Sequence, residues 1–138
     1  MHPLLQDCTF VYTHVVTWGE MDAFGHVNNT EYFRYFEHAR IAHFGAIGML
    51  AYMDEHNCGP ILGETRCRFK IPLTHPDTVH IGVKVENLAE DHFTHVYTVV
   101  SERYNAIAAE GDGKIVYYDY NSNGKTALPA VLRAELEK

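Results

Sequence analysis

An α+β fold, with one curved antiparallel sheet wrapped around a single long helix, is what the sequence predicts. Three observations carry it. A strand-like run comes first, then a proline-free segment that is apolar round most of its girth, then four runs with a period of two. A helix that apolar needs enclosure, and a strongly curved antiparallel sheet is the simplest wrapper.

The first element is Thr9 to Trp18, TFVYTHVVTW, in which nearly every residue is β-branched or aromatic. Alternation puts Phe10, Tyr12, Val16 and Trp18 on one strand face. Gly19 ends the run and opens the loop GEMDAFGHVNN, which has two acids, two glycines and two asparagines. Asn28 suits a helix N-cap, and Glu31 three residues on is placed to reach back as in a capping box. From Thr30 to about Leu50 there is no proline. Tyr32, Phe33, Tyr35, Phe36, Ile41, Phe44, Ile47 and Leu50 cover well over half the circumference, so the helix should be largely enclosed. Glu31, Arg34 and His38 form its polar strip. Gly45 and Gly48 weaken the last turns, so the helix is expected to end early. Ala51 to Pro60 reads as a loop or a frayed helical end.

The period then changes to two. Thr65, Cys67, Phe69 and Ile71 alternate with Glu64, Arg66, Arg68 and Lys70 until Pro72, a half-buried strand pattern. Val79, Ile81, Val83 and Val85 alternate with His80, Gly82, Lys84 and Glu86. Phe93 to Arg103 is a third run, and Asn105 to Tyr120, through Gly111-Asp112-Gly113, a fourth. The spacing is that of a meander with hairpin connections. Asn121 to Gly124 reads as a turn and Pro129 to Lys138 as a short helix. An open sheet edge must be managed, and pairing with a second copy is one way.

Composition bounds the function. The 138 residues suit one domain over 1–138. A formal net charge of −7 argues against a nucleic-acid partner, which calls for a basic footprint. Cys8, Cys58 and Cys67 are odd in number with no CxxC spacing, which points to reduced thiols and a cytoplasmic setting. No apolar run reaches membrane-spanning length, and MHPLLQDC lacks the parts of a secretory signal. The ten histidines show no HExxH, and the spacings of His38 with His43 and His92 with His95 set each pair on different faces. No metal and no cofactor are expected, and neither a P-loop nor a GxGxxG turn is present.

Trp18 to Arg40, WGEMDAFGHVNNTEYFRYFEHAR, carries the chemistry. It resembles the hotdog-fold acyl-CoA thioesterases of the 4-hydroxybenzoyl-CoA thioesterase family, in particular the long-chain acyl-CoA thioesterase III branch. The matching positions are Asp22, Gly25, His26, Asn28, Asn29, Tyr32, Glu37, Ala39 and Arg40. Where that pattern often has D-x-D, this chain has Glu20 before Asp22. A helix start offers unpaired N–H groups and a partial positive charge of roughly half a unit. That suits the oxyanion formed when a thioester carbonyl is attacked, and a carboxylate upstream can attack or activate a water.

The resemblance implies Asp22 as nucleophile or general base and the backbone N–H at Asn29 as oxyanion donor. It leaves several roles open. His26 orients Asp22, contacts ligand or packs for shape; Glu37 pairs with Arg40 or serves as a second carboxylate across a dimer cleft. Phe24, Gly25, His26, Asn28, Tyr32 and Glu37 are candidate substrate contacts, and the helix aromatics are either an acyl slot or plain core. Arg66 and Arg68, with Lys70, form a stripe about 7 Å per step, either for coenzyme A phosphates or as a solvated face. The expected partner is acyl-CoA, with a homodimer that places sites at its interface, or a tetramer. The alternative is a hotdog protein that binds acyl-CoA or an acyl-carrier-protein thioester without cleaving it. Hydratases of this fold pair an Asp with a His some five residues on, whereas Asp22 and His26 are four apart.

Overall fold

The computed structural model describes residues 2–138. Its elements are β1 (Phe10–Val15), α1 (Asn29–Ala46), α2 (Met49–His56), β2 (Cys58–Phe69), β3 (Thr78–Glu86), β4 (His92–Ser101), β5 (Ala106–Asp119), β6 (Gly124–Lys125) and α3 (Ala130–Leu136). The sheet runs β1-β3-β4-β5-β2, every pair antiparallel, with β6 added to β5. The expected four-run meander holds for β3-β4-β5 only: β2 pairs with β5 instead of forming a hairpin with β3, so β1 and β2 lie at the two outer edges. Among the described residues no helix is long and apolar enough to cross a membrane.

The sheet curls against α1, as expected. The helix buries Tyr32, Tyr35, Phe36, Ala39, His43 and Phe44, spaced as one stripe. Val79, Ile81, Val83, Tyr97 and Val99 meet the first part of that stripe. The Phe36 ring stacks on Tyr97 with centroids 4.5 Å apart. A Cβ on Gly111 would lie 2.4 Å from the Arg66 carbonyl and 2.5 Å from Phe36. Only a residue without a side chain lets the helix approach β5 so closely. A second cluster, under the far end of α1, joins Phe44 and Met49 to Phe93, Ile115 and Tyr117 and to Leu132 and Leu136 of α3.

Several expectations change. Trp18 is not on a buried strand face: it sits in a 3-10 turn, 73% exposed. The β1 ladder runs out at Val15, opposite Thr78, the first residue of β3. Beyond that point Val16 N–H bonds the Asp77 carbonyl and the chain turns away. The long helix does stop early, at Ala46, but Gly48 at φ +85 starts α2, a separate helix where a loop or a frayed helical end was expected. Asn57, also left-handed, ends α2, and β2 begins at once. Enclosure of α1 is one-sided, since Arg34, Glu37, His38 and Ile41 stay exposed. The half-buried pattern foreseen in Glu64–Ile71 falls on an edge strand, most of which is exposed.

A buried polar chain locks α1 to the sheet. Arg40 donates to the Tyr97 hydroxyl at 3.2 Å, Tyr97 lies 3.1 Å from His95 Nδ1, and His95 Nε2 lies 3.0 Å from His43 Nδ1. Arginine only donates, so full satisfaction sends the Tyr97 proton to His95 and the His95 Nε2 proton to His43. Both imidazoles are then neutral. Burial lowers His43 to about 4. Burial, followed by the His43 and Arg40 charges, pushes His95 well below its ordinary range.

Each histidine therefore binds a proton on unfolding once the pH falls below its unfolded value, near 6.5. Stability present at pH 7 should decline from pH 6.5 towards pH 4, by up to about 1.4 kcal/mol per pH unit for each histidine. Urea unfolding at pH 7, 6 and 5 reads this directly; an unchanged free energy across that range contradicts a neutral buried pair.

Candidate active site

The loop between β1 and α1 is tied down along its length. Met21 and Val27 form an isolated antiparallel bridge. Inside it, Asp22 N–H donates to the His26 carbonyl at 2.8 Å, and Gly25 N–H donates to the Asp22 carbonyl at 3.0 Å. Gly25 is left-handed at φ +78, which closes the turn without strain. Val27 N–H reaches the Leu73 carbonyl at 2.8 Å, pinning the loop to the segment before β3.

This backbone holds the Asp22 carboxylate in place. One oxygen accepts from Phe24 N–H at 2.9 Å, the usual hold of an aspartate on its own turn. The other meets the Asn28 amide group at 3.5 Å, the outer limit of a hydrogen bond. Asn28 is the N-cap, as expected: its side-chain oxygen accepts from Thr30 N–H at 2.9 Å and from the Thr30 hydroxyl at 2.8 Å. The expected capping box with Glu31 does not form. The Asn28 N–H that Glu31 would have reached is already bonded to the Glu20 carbonyl at 3.0 Å.

One amide donor at the helix start stands apart from its neighbours. Asn28 N–H goes to Glu20, Thr30 N–H to the Asn28 side chain, and Glu31 N–H to the Asn28 carbonyl at 2.9 Å. Asn29 N–H has no acceptor among the described residues. Asn29 and Asp22 line the same cavity of about 360 Å³, together with Tyr32, Phe69, Lys70 and Ile71. The Tyr32 hydroxyl donates to the Ile71 carbonyl at 3.4 Å and accepts from Leu73 N–H at 3.3 Å. Its ring meets Phe69 edge-on with centroids 5.0 Å apart. Burial pushes the Tyr32 phenol up, so it stays protonated. The residues lining the pocket thus bring together apolar side chains, an aspartate and the residue that carries the free amide at the positive end of an 18-residue helix.

Other candidates lie elsewhere. Phe24 is 85% exposed on the loop, and His26 is exposed, serving Asp22 through its carbonyl. No bond joins the His26 ring to the Asp22 carboxylate among the described residues. Glu37 lies on the open face of α1 and does not pair with Arg40, which is turned inward to Tyr97. Arg66 and Arg68 line a different cavity, beside Cys67 and Asp112. The basic stripe is largely neutralised across the β2-β5 ladder: Arg66 grips Asp112 at 3.1 and 2.7 Å, and Lys70 pairs with Glu110. Arg68 has no ion-pair partner among the described residues.

Sequence reasoning missed Phe69 and Ile71 as pocket residues and placed Lys70 only in the basic stripe considered for coenzyme A phosphates. Their place follows from β2 ending beside the helix start, a pairing distant in sequence. It also gave no role to Glu20, although a glutamate where the pattern has aspartate was a visible signal.

Against known proteins, the profile described as the thioesterase-like superfamily matches residues 16–136. A protein of Aquifex aeolicus (strain VF5) named "Putative esterase" is 33% identical over 94 residues, covering 67% of this chain and 73% of that one. The structure of the PA2801 protein from Pseudomonas aeruginosa superposes with a TM-score of 0.83 at 29% identity, over 94% of this chain and 98% of that one. Slr0204, a 1,4-dihydroxy-2-naphthoyl-CoA thioesterase from Synechocystis, shares the fold at 14% identity, with a TM-score of 0.84 over 94% and 96% of the two chains.

Proposed function

This chain belongs to the thioesterase-like superfamily and has the hotdog fold, and from that premise we propose that it hydrolyses an acyl-CoA thioester to a free acid and coenzyme A. Family membership supports thioesterase activity in general terms. The observation that carries the finer proposal is the shared cavity of Asp22 and the unbonded Asn29 N–H.

In this proposal the thioester carbonyl oxygen accepts a hydrogen bond from Asn29 N–H at the positive end of α1. Asp22 takes a proton from a water as that water's oxygen bonds to the carbonyl carbon, and the oxyanion forms against the amide. The C–S bond then breaks and the electron pair leaves with sulfur as a thiolate. The alternative use of the same atoms is direct attack by the Asp22 carboxylate, giving a mixed anhydride that water cleaves. A thiolate leaves readily, so neither course demands a strong general acid. Tyr32, Phe69 and Ile71 supply apolar walls for the part of the acyl group next to the carbonyl.

The exposed edge of β2 suits pairing with a second copy of the chain, which would cover Ile61, Leu62 and Phe69, all partly open. Sedimentation should give the mass of a dimer or a larger assembly, and a stable monomer contradicts this.

Asp22→Asn should lower kcat by about 10²- to 10⁴-fold, the range for loss of a positioned acid or base, with KM changed only a few-fold. Thiol release from a panel of acyl-CoA substrates reads this. Wild-type turnover in the variant overturns the mechanism. Tight binding by the wild type with no thiol released points instead to a non-hydrolytic binding protein.

A further inference from the structure

We infer that Glu20 is the positioning residue that sets Asp22 and the Asn29 amide in register, an inference that rests on the proposal that these two groups do the chemistry. The Glu20 side chain is only 11% exposed, and its carboxylate gathers donors from three parts of the chain. Oε1 accepts from the Tyr35 hydroxyl of α1 at 2.5 Å. Oε2 accepts from Thr17 N–H at 2.9 Å, from the Thr17 hydroxyl at 2.8 Å, and from His14 Nε2 of β1 at 3.0 Å. Both oxygens are committed, so Glu20 is not free to act as a second base.

Its backbone faces the other way in function. The Glu20 carbonyl accepts Asn28 N–H at 3.0 Å. Asn28 in turn touches Asp22 through its side-chain amide and caps the helix whose Asn29 N–H is free. One residue thus ties the strand, the turn and the helix through its side chain, and passes that register to the site through its main chain. Burial, the largest influence on the carboxyl, pushes it up, but the bonds from Tyr35, Thr17 and His14 together hold it below its ordinary value. Glu20 is therefore an anion at neutral pH, which makes each of those bonds charge-assisted. The long side chain is needed: an aspartate would draw the carboxylate back by about one C–C bond, ~1.5 Å, away from Tyr35.

The test compares wild type, Glu20→Gln, Tyr35→Phe, Asp22→Asn and the Glu20→Gln/Asp22→Asn double variant by kcat, KM, thermal midpoint and Asn28 amide hydrogen exchange. A misplacement of about 1 Å is worth roughly 10²-fold. Glu20→Gln should therefore lose about 10- to 100-fold in kcat with KM nearly unchanged, and its Asn28 amide should exchange faster. Tyr35→Phe, which removes one donor and serves if Glu20→Gln does not fold, should show a smaller loss of the same kind. On top of Asp22→Asn, Glu20→Gln should cost less than it does in the wild type, because only its hold on the Asn29 amide remains to be lost. If Asp22→Asn is inactive while Glu20→Gln keeps wild-type kcat, the positioning role alone is overturned. The same holds if Glu20→Gln lowers only the thermal midpoint. If Asp22→Asn turns over normally, the underlying mechanism fails first.

Discussion

The start of a helix leaves amide donors that the helix itself cannot satisfy, and the organisation of this protein's candidate site follows from how they are met. Asn28 answers for Thr30 and Glu31, and the Glu20 carbonyl answers for Asn28. Asn29 is left over. An unmet donor buried without an acceptor is costly, but one at a cavity wall can be met by water or by a ligand. The cavity that offers this also holds Asp22. The helix, the cap and the carboxylate are therefore parts of one local solution to a hydrogen-bonding problem.

The rest of the fold keeps that solution in place. Packing of Phe36 between Tyr97 and Gly111 sets the depth of α1 against the sheet. Farther along, the Arg40-Tyr97-His95-His43 chain joins the helix to β4 through directional contacts that slippage along the axis would break. Such a chain costs stability when a member is left unpaired, so it specifies one arrangement more than it strengthens it. At the helix start the Glu20 carboxylate does similar work, with Tyr35 and His14 as its anchors.

Much of the architecture was legible because it is written in local periodicity. The order of elements, the Asn28 cap, the early helix end and the β3-β4-β5 meander all rest on short-range patterns. Trp18 was misplaced because its hydrophobicity says nothing of where the β3 partner begins. Helix α2 was not separable from a loop or a frayed end because Gly48 shows only as a weak point in the long helix, whereas the left-handed backbones of Gly48 and Asn57 bound a second helix. The Glu31 box failed because a distant carbonyl had taken its target. Arg66 looked free on its own strand, but Asp112 faces it from β5. Asp22, Asn29 and Tyr32 emerged from the motif and Lys70 from the basic stripe, whereas Phe69 and Ile71 reach the same cavity through a tertiary approach that no local pattern records.

The Asn29 amide is the group proposed to receive the carbonyl oxygen. Its ¹⁵N–¹H resonance, followed during titration with a non-hydrolysable acyl-CoA analogue that keeps a carbonyl, tests this most directly. The proton should move downfield as the bond forms, while Thr30 and Glu31, already bonded to Asn28, shift little. Saturating analogue with no movement at Asn29, and the larger shifts elsewhere, would contradict it.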